Sequence, residues 1–147
     1  MSDKKYIILA DDDSDDRMLF EEALNEINDN VKVLLSIDGV QLMEMLHEIS
    51  PLKPNIIFLD INMPKKNGFE CLQQIRSSPL LKNTPVIMYS TCSQKDTVNK
   101  AFEGGANFFI RKPDNFASLK NTLKKVLSIN FELINPKITL DTFVITL

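Results

Sequence analysis

The chain lacks what would place it in a membrane. No apolar run approaches the ~20 residues that a bilayer-crossing helix needs. Met1-Ser2-Asp3-Lys4-Lys5 leads straight into a short apolar segment, without the longer apolar core and small-residue cleavage site of a signal peptide. Cysteine is scarce: Cys71 and Cys92 are the only two, too few for a disulfide framework or a zinc site. Positive charge is not in excess. Lys and Arg number 17 against 20 Asp and Glu, a formal net charge of −3, so nothing advertises a nucleic-acid or anionic-membrane surface. Internal repeats and linker-like stretches are also missing. What remains is the expectation of a soluble, cytoplasmic chain, whose 147 residues at 44% hydrophobic suffice for one domain with a real core.

The most informative stretch present is Asn55 to Gly68. Four apolar residues, Ile56 to Leu59, read as a strand buried on both faces, as in a parallel sheet. The next residue is a carboxylate, Asp60, and a charge at such a place is costly unless it has a partner. Pro64 forbids a regular continuation, and Lys65-Lys66-Asn67-Gly68 is turn chemistry. The rest of the chain repeats the pattern of apolar strand, polar break and amphipathic helix. Tyr6–Ala10 forms the first strand, and a helix follows that Ser14 can cap, with Phe20, Ala23, Leu24 and Ile27 on one face. Val31–Ile37 is the second strand, before a helix carrying Leu42, Met43, Leu46 and Ile49. A short helix runs from Phe69 to about Ser77, and Val86–Tyr89 is the fourth strand. Ser93-Gln94-Lys95-Asp96 resembles a capping box, so a helix should start near Lys95 and stop at Gly104-Gly105. Phe108–Arg111 is the fifth strand, and the last helix presents Phe116, Leu119, Leu123, Val126 and Leu127. Five β–α units in strict alternation specify an α/β fold with a doubly wound, five-stranded parallel sheet.

In such a fold the carboxyl ends of the strands converge on one edge. That edge would collect Asp11 and Asp12 after the first strand, Asp60 after the third, Ser90 after the fourth and Lys112 after the fifth. Oxygen donors without histidine or cysteine suit a hard cation, and Mg²⁺ commonly takes one or two carboxylates, waters and a phosphate. One Mg²⁺ with Lys112 would bring the three carboxylates to neutrality and let the edge accept a phosphoryl group. Asp60 could then act as nucleophile, with Ser90 and Lys112 donating to phosphoryl oxygens.

These residues resemble the receiver domain of two-component response regulators, over roughly residues 5 to 128. The likeness rests on five features in order: the acidic pair Asp11-Asp12, Asp60 with Met63-Pro64 and Gly68, Ser90, Gly104-Gly105-Ala106, and Lys112-Pro113. It implies the flavodoxin-like receiver fold with strand order 2-1-3-4-5. It also implies Asp60 as phosphoacceptor, with Asp11, Asp12, Asp60 and the Asn62 backbone carbonyl around Mg²⁺. Ser90 takes the place of the switching hydroxyl, Lys112 binds the phosphoryl group, and Phe109 stands at the aromatic switch position. The stretch from Ile8 to Asp16 is most similar to stand-alone receivers that partner phytochrome-type histidine kinases. The expected partners are thus a sensor histidine kinase and a downstream protein or phosphotransfer target. An adaptor that docks without being phosphorylated is the alternative, and the full acid set argues against it. A dehalogenase-type phosphatase would need a second Asp where Asn62 stands, and a flavin phosphate would be repelled by Asp11-Asp12.

Other residues carry blander expectations. Asp13, Asp15 and Asp16 read as helix N-terminal charges, His47 as a surface residue, Cys71 as core, and Cys92 as a thiol with nothing nearby to depress its pKa. The receiver is expected to occupy residues 1–130, with 131–147 as a C-terminal extension. Only Lys137 is basic there, so no DNA-binding output is expected. Asn135-Pro136 must turn the chain, and the apolar, β-branched run Ile138 to Leu147 needs a surface to cover. It could pack back on its own helices or pair with a second molecule, and a homodimer is the favoured reading.

Overall fold

The computed structural model describes residues 4–28, 30–48, 53–131 and 139–145. Five β–α units alternate: β1 (Lys5–Ala10), α1 (Ser14–Ile27), β2 (Val31–Ser36), α2 (Gly39–Glu48), β3 (Ile56–Leu59), α3 (Gly68–Ser77), β4 (Val86–Ser90), α4 (Lys95–Glu103), β5 (Phe108–Arg111) and α5 (Phe116–Leu127). A short helix, α6 (Leu140–Phe143), and a two-residue strand, β6 (Val144–Ile145), complete the described chain. Ile49, Asp29, Pro51 and the Asn135-Pro136 break lie outside the described residues.

All strands are parallel, in the order β2-β1-β3-β4-β5-β6. The expected order 2-1-3-4-5 is intact, but the sheet has six strands rather than five. The sixth forms because β5 would otherwise expose a row of unpaired backbone groups at an edge. Val144 and Ile145, both β-branched, pair there with Phe109 and Ile110. Successive strand residues alternate between two cores. Ile8, Ile57, Leu59, Val86, Met88 and Phe109 face the layer of α2, α3 and α4, where Leu42, Leu46, Leu72 and Ala101 meet them. Ile7, Leu9, Phe58, Ile87, Tyr89 and Ile110 face α1 and α5, against Phe20, Leu24, Leu119 and Leu123.

Helix starts depart from expectation in two places. Asp13, not Ser14, is the N-cap of α1, because its extended backbone lets one carboxylate oxygen accept from Asp15 N at 2.9 Å and Asp16 N at 3.0 Å. At α4 the expected capping box does not form: Gln94 occupies the N-cap with no side-chain bond. The turn after Asp60 is as its composition requires. Lys65 adopts a left-handed φ of 69°, and Asn67 and Glu70 form a reciprocal capping box for α3. Gly68 is needed there for closeness, since a Cβ would fall 2.4 Å from the Asp60 carbonyl oxygen.

The tail's described part lies against its own chain. Phe143 is fully buried, edge-on to Phe102 of α4 at 5.3 Å and beside Phe109 of β5 at 6.4 Å. No second copy is required to bury it.

Candidate functional site

β1 and β3 are adjacent and in register, Ala10 opposite Leu59, so Asp11 and Asp60 leave the sheet side by side. Asp60 N donates to the Ala10 carbonyl at 2.9 Å, which fixes that juxtaposition. Carboxylate oxygens of Asp11, Asp12 and Asp60 all lie within 4.8 Å of one another. Asp11 and Asp60 are buried and Asp12 is exposed, so the cluster opens to solvent on one side. Lys112 follows β5, and its backbone N–H donates to the Ser90 carbonyl at 2.9 Å, closing the ends of β4 and β5 together. Its ammonium reaches 2.8 Å from Asp11 Oδ2, 2.8 Å from Asp16 Oδ2 and 3.6 Å from Asp60 Oδ2. It also lies 5.5 Å from the centre of the Tyr89 ring.

The electrostatics follow from burial and crowding. Burial raises the Asp60 carboxyl to about 7, and the Asp11 charge adds to the rise, while Lys112 and the Asn62 backbone N–H oppose it. Burial likewise raises Asp11, against the pull of Lys112 and of the Asp13 backbone N–H. Burial alone would lower Lys112, but its hydrogen bonds to Asp11 and Asp16 and the charges of Asp11 and Asp60 push it up. A carboxylate held near 7 by burial and by a neighbouring carboxylate marks a site built for a further positive charge.

Whether a hard cation fits is answered by one atom. Asp11 Oδ2 is buried, and the Lys112 ammonium 2.8 Å away is shared with Asp16 and Asp60, so one cation serves three carboxylates. A buried carboxylate only partly neutralised by one shared ammonium, beside two more carboxylates and with no nitrogen or sulfur ligand, has the chemistry that suits Mg²⁺ or Mn²⁺.

The other expected site residues sit differently. Ser90 is fully buried and its Oγ accepts from Cys92 N at 3.2 Å, so its hydroxyl already organises the β4–α4 loop. Phe109 is also fully buried, beneath Phe143 rather than at the surface. Asn62 is exposed at the edge of the cluster, and His47 is exposed on α2. Cys92 corrects an expectation: the Gln94 backbone N–H and the Thr97 hydroxyl, 3.6 Å from Sγ, lower its pKa. Asp16 was missed as a site residue. Its only signal in the sequence is a place in the first turn of α1, which any helix-favouring acid shares, and its partner is 96 residues away.

A family model for the response regulator receiver domain matches residues 7–124. The chain belongs to this family. It is 35% identical over 130 residues to response regulator Rcp1 of a Synechocystis strain, covering 85% of this chain and 86% of that one. Two crystal structures superpose with TM-scores of 0.76. One is a phosphorylated cyanobacterial phytochrome response regulator, RcpA, 33% identical over 83% of this chain and 90% of its own. The other is the Mn²⁺-bound form of Rcp1, 32% identical over 84% of this chain and 95% of its own. The receiver is thus a two-component signalling protein and not a metabolic enzyme. Receivers are phosphorylated by histidine kinases and bind Mg²⁺ or Mn²⁺ at an acidic site. Among the described residues no helix is long and apolar enough to cross a membrane.

Proposed function

We propose that this receiver accepts a phosphoryl group on Asp60. The observation that carries the reading is the Asp60 carboxylate at the end of β3, with Asp11 and Asp12 oxygens within 4.8 Å on one side and the Lys112 ammonium 3.6 Å away. Mg²⁺, held by Asp11, Asp12, Asp60 and the Asn62 carbonyl, would neutralise the carboxylates and the incoming phosphoryl oxygens. Asp60 attacks the phosphorus of a kinase phosphohistidine. The P–N bond breaks as the P–O bond forms, and the imidazole leaves with a proton from solvent. Lys112 supplies the remaining positive charge, and its strongly raised pKa keeps it protonated throughout. Ser90 would switch from Cys92 N to a phosphoryl oxygen, which loosens the β4–α4 loop. The kinase is of the phytochrome type by similarity to the RcpA and Rcp1 class, acting in the cytoplasm. The output is protein docking or phosphotransfer rather than nucleic-acid binding. The test is intact mass after acetyl phosphate and Mg²⁺. We expect one phosphoryl adduct on the wild type and none on Asp60→Asn or with EDTA. A full adduct in either control would overturn the assignment.

Residues 1–130 then form the receiver and 131–147 a C-terminal extension, whose helix Leu140–Phe143 and strand Val144–Ile145 lie on α4 and the β5 edge. Phe143 supports this, being buried against Phe102 and Phe109 in the same chain. Truncation after Asn130 should speed hydrogen exchange in β5 without changing the mass of the particle in light scattering. A full-length dimer that truncation dissolves would instead favour pairing between two copies through the tail.

A further inference from the structure

One carboxylate touches the site without belonging to the metal-binding cluster. Asp16 stands outside the group formed by Asp11, Asp12 and Asp60. It nevertheless accepts the aligned hydrogen bond that Lys112 makes, at 2.8 Å, while the same ammonium is 3.6 Å from Asp60. The position of Asp16 is fixed from behind, because its backbone N–H is held by the Asp13 cap at 3.0 Å. Its side chain is one-third exposed, whereas that of Lys112 is 10% exposed, so the pair spans the boundary between solvent and site. α1 thereby reaches across to the end of β5 and grips the Lys112 ammonium.

We infer that Asp16 is a positioning residue that holds Lys112 in reserve. It draws the ammonium toward α1, sharing it with Asp11 at 2.8 Å and holding it 3.6 Å from Asp60, and yields it to the phosphoryl group. The charges set this competition. A lysine freed from Asp16 would be left to Asp11 and Asp60, where its full charge opposes a bound divalent cation. Once phosphoryl oxygens are present, they outcompete a single part-exposed carboxylate for the same donors. Asp16 therefore favours cation binding at rest and weakens the first encounter with an anionic phosphodonor. This rests on Asp60 being the phosphoacceptor.

The test compares wild type, Asp16→Asn, Lys112→Met and the double variant, using the full chain. Mg²⁺ affinity is read from the rise in melting temperature, with no phosphoryl group present. The rate of adduct formation is followed by intact mass over a range of acetyl phosphate concentrations. Asp16→Asn should weaken Mg²⁺ binding by about threefold, the scale of a part-exposed ion pair. It should lower the half-saturating acetyl phosphate concentration by a similar factor, with the maximal rate nearly unchanged. Both effects should vanish in the Lys112→Met background, and Asp16→Glu, which keeps a carboxylate in reach, should behave as wild type. Equal effects with and without Lys112 would make Asp16 a through-space charge and overturn the inference, as would no effect at all. A wild type that forms no adduct on Asp60 would overturn the phosphoacceptor assignment, while the Mg²⁺ measurement would still judge the Asp16–Lys112 pairing.

Discussion

Two half-buried cations sit at opposite ends of the same sheet, and their partners differ in kind. Arg76 lies at the amino ends of β4 and β5. It donates to the carbonyls of Gly105 at 2.8 Å, Lys82 at 3.1 Å and Thr84 at 2.7 Å, and to Asn107 Oδ1 at 2.8 Å. Every partner is neutral, and Asn107 Oδ1 also receives the Val86 N–H, so the group is a closed clamp. Lys112, at the carboxyl ends, faces three carboxylates, with a fourth, Asp12, in the same cluster. Three acids remain unbalanced there. A half-buried cation satisfied by dipoles stabilises the fold. A half-buried cation outnumbered by carboxylates leaves repulsion that a ligand can relieve. The contrast separates scaffold from site without reference to any relative.

Breaking the clamp should give the largest effect. Arg76→Ala removes four hydrogen bonds from a charged donor and leaves carbonyls behind, a loss of about 3 kcal/mol or more in urea unfolding. Arg76→Lys should recover little, because a single ammonium cannot span four acceptors placed for a planar fork. Whatever fraction folds should still bind Mg²⁺ normally. Full recovery by lysine would show that charge rather than geometry holds this end together.

Adding a cation should act on the other end alone. Mg²⁺ at about a hundred times its dissociation constant should stabilise the wild type by ~2.7 kcal/mol. Asp12→Ala should lose most of that increment, while Arg76→Ala should keep it on its lower baseline. A melting curve unmoved by millimolar Mg²⁺ would remove the metal site.

How much of this contrast is legible in the sequence depends on how each residue announces itself. Asp60 and the Asp11-Asp12 pair stand out because each ends an apolar strand, where a charge has a cost. Lys112 stands out through Lys-Pro after a strand. Asp16 does not, since an acid in the first turn of a helix has an ordinary reason to be there. Asp13 and Ser14 are both good caps, and only the backbone angle at Asp13 decides between them. The lowered pKa of Cys92 comes chiefly from a backbone N–H, that of Gln94, which no side-chain pattern records. The tail's β-branched run predicts that it must cover something. Which edge it covers depends on β5 being the last strand of the main sheet, a property of the assembled fold.

The repulsion at the carboxyl end should also appear as a pH slope in metal-free protein. Asp60 has a folded value of about 7 against an ordinary 3.8, so between these the native state holds a proton that the unfolded chain has lost. Its contribution is fully present below about pH 4 and is lost as pH rises through about 7. Wild-type stability in EDTA should therefore decline over that range, and Asp60→Asn should flatten the decline. Above pH 7 the variant should be the more stable protein, by on the order of 1–2 kcal/mol. A wild type whose stability rises over the same interval would contradict the electrostatic picture.

The smallest effect lies at the rim, where Cys92 joins the site to the β4–α4 loop. Its backbone N–H holds Ser90 Oγ, while its thiol is turned to Thr97 and the Gln94 N–H at the start of α4. By analogy with other receivers, the side chain two residues past the switching hydroxyl flanks the water that hydrolyses the aspartyl phosphate. A thiol engaged with its own loop orients water poorly, which favours a long-lived phosphoryl group. Cys92→Ser keeps the size and the loop contacts, so its dephosphorylation rate should stay within about twofold of wild type, ~0.4 kcal/mol in the barrier. Lysine and glutamate are longer than the thiol and bring a charged, hydrogen-bonding end to the rim. Cys92→Lys or Cys92→Glu should therefore change the rate by more than that, measured as loss of the mass adduct after removal of the donor. If all three variants decay at the wild-type rate, the loop rather than the side chain sets the lifetime, and Ser90 becomes the residue to alter.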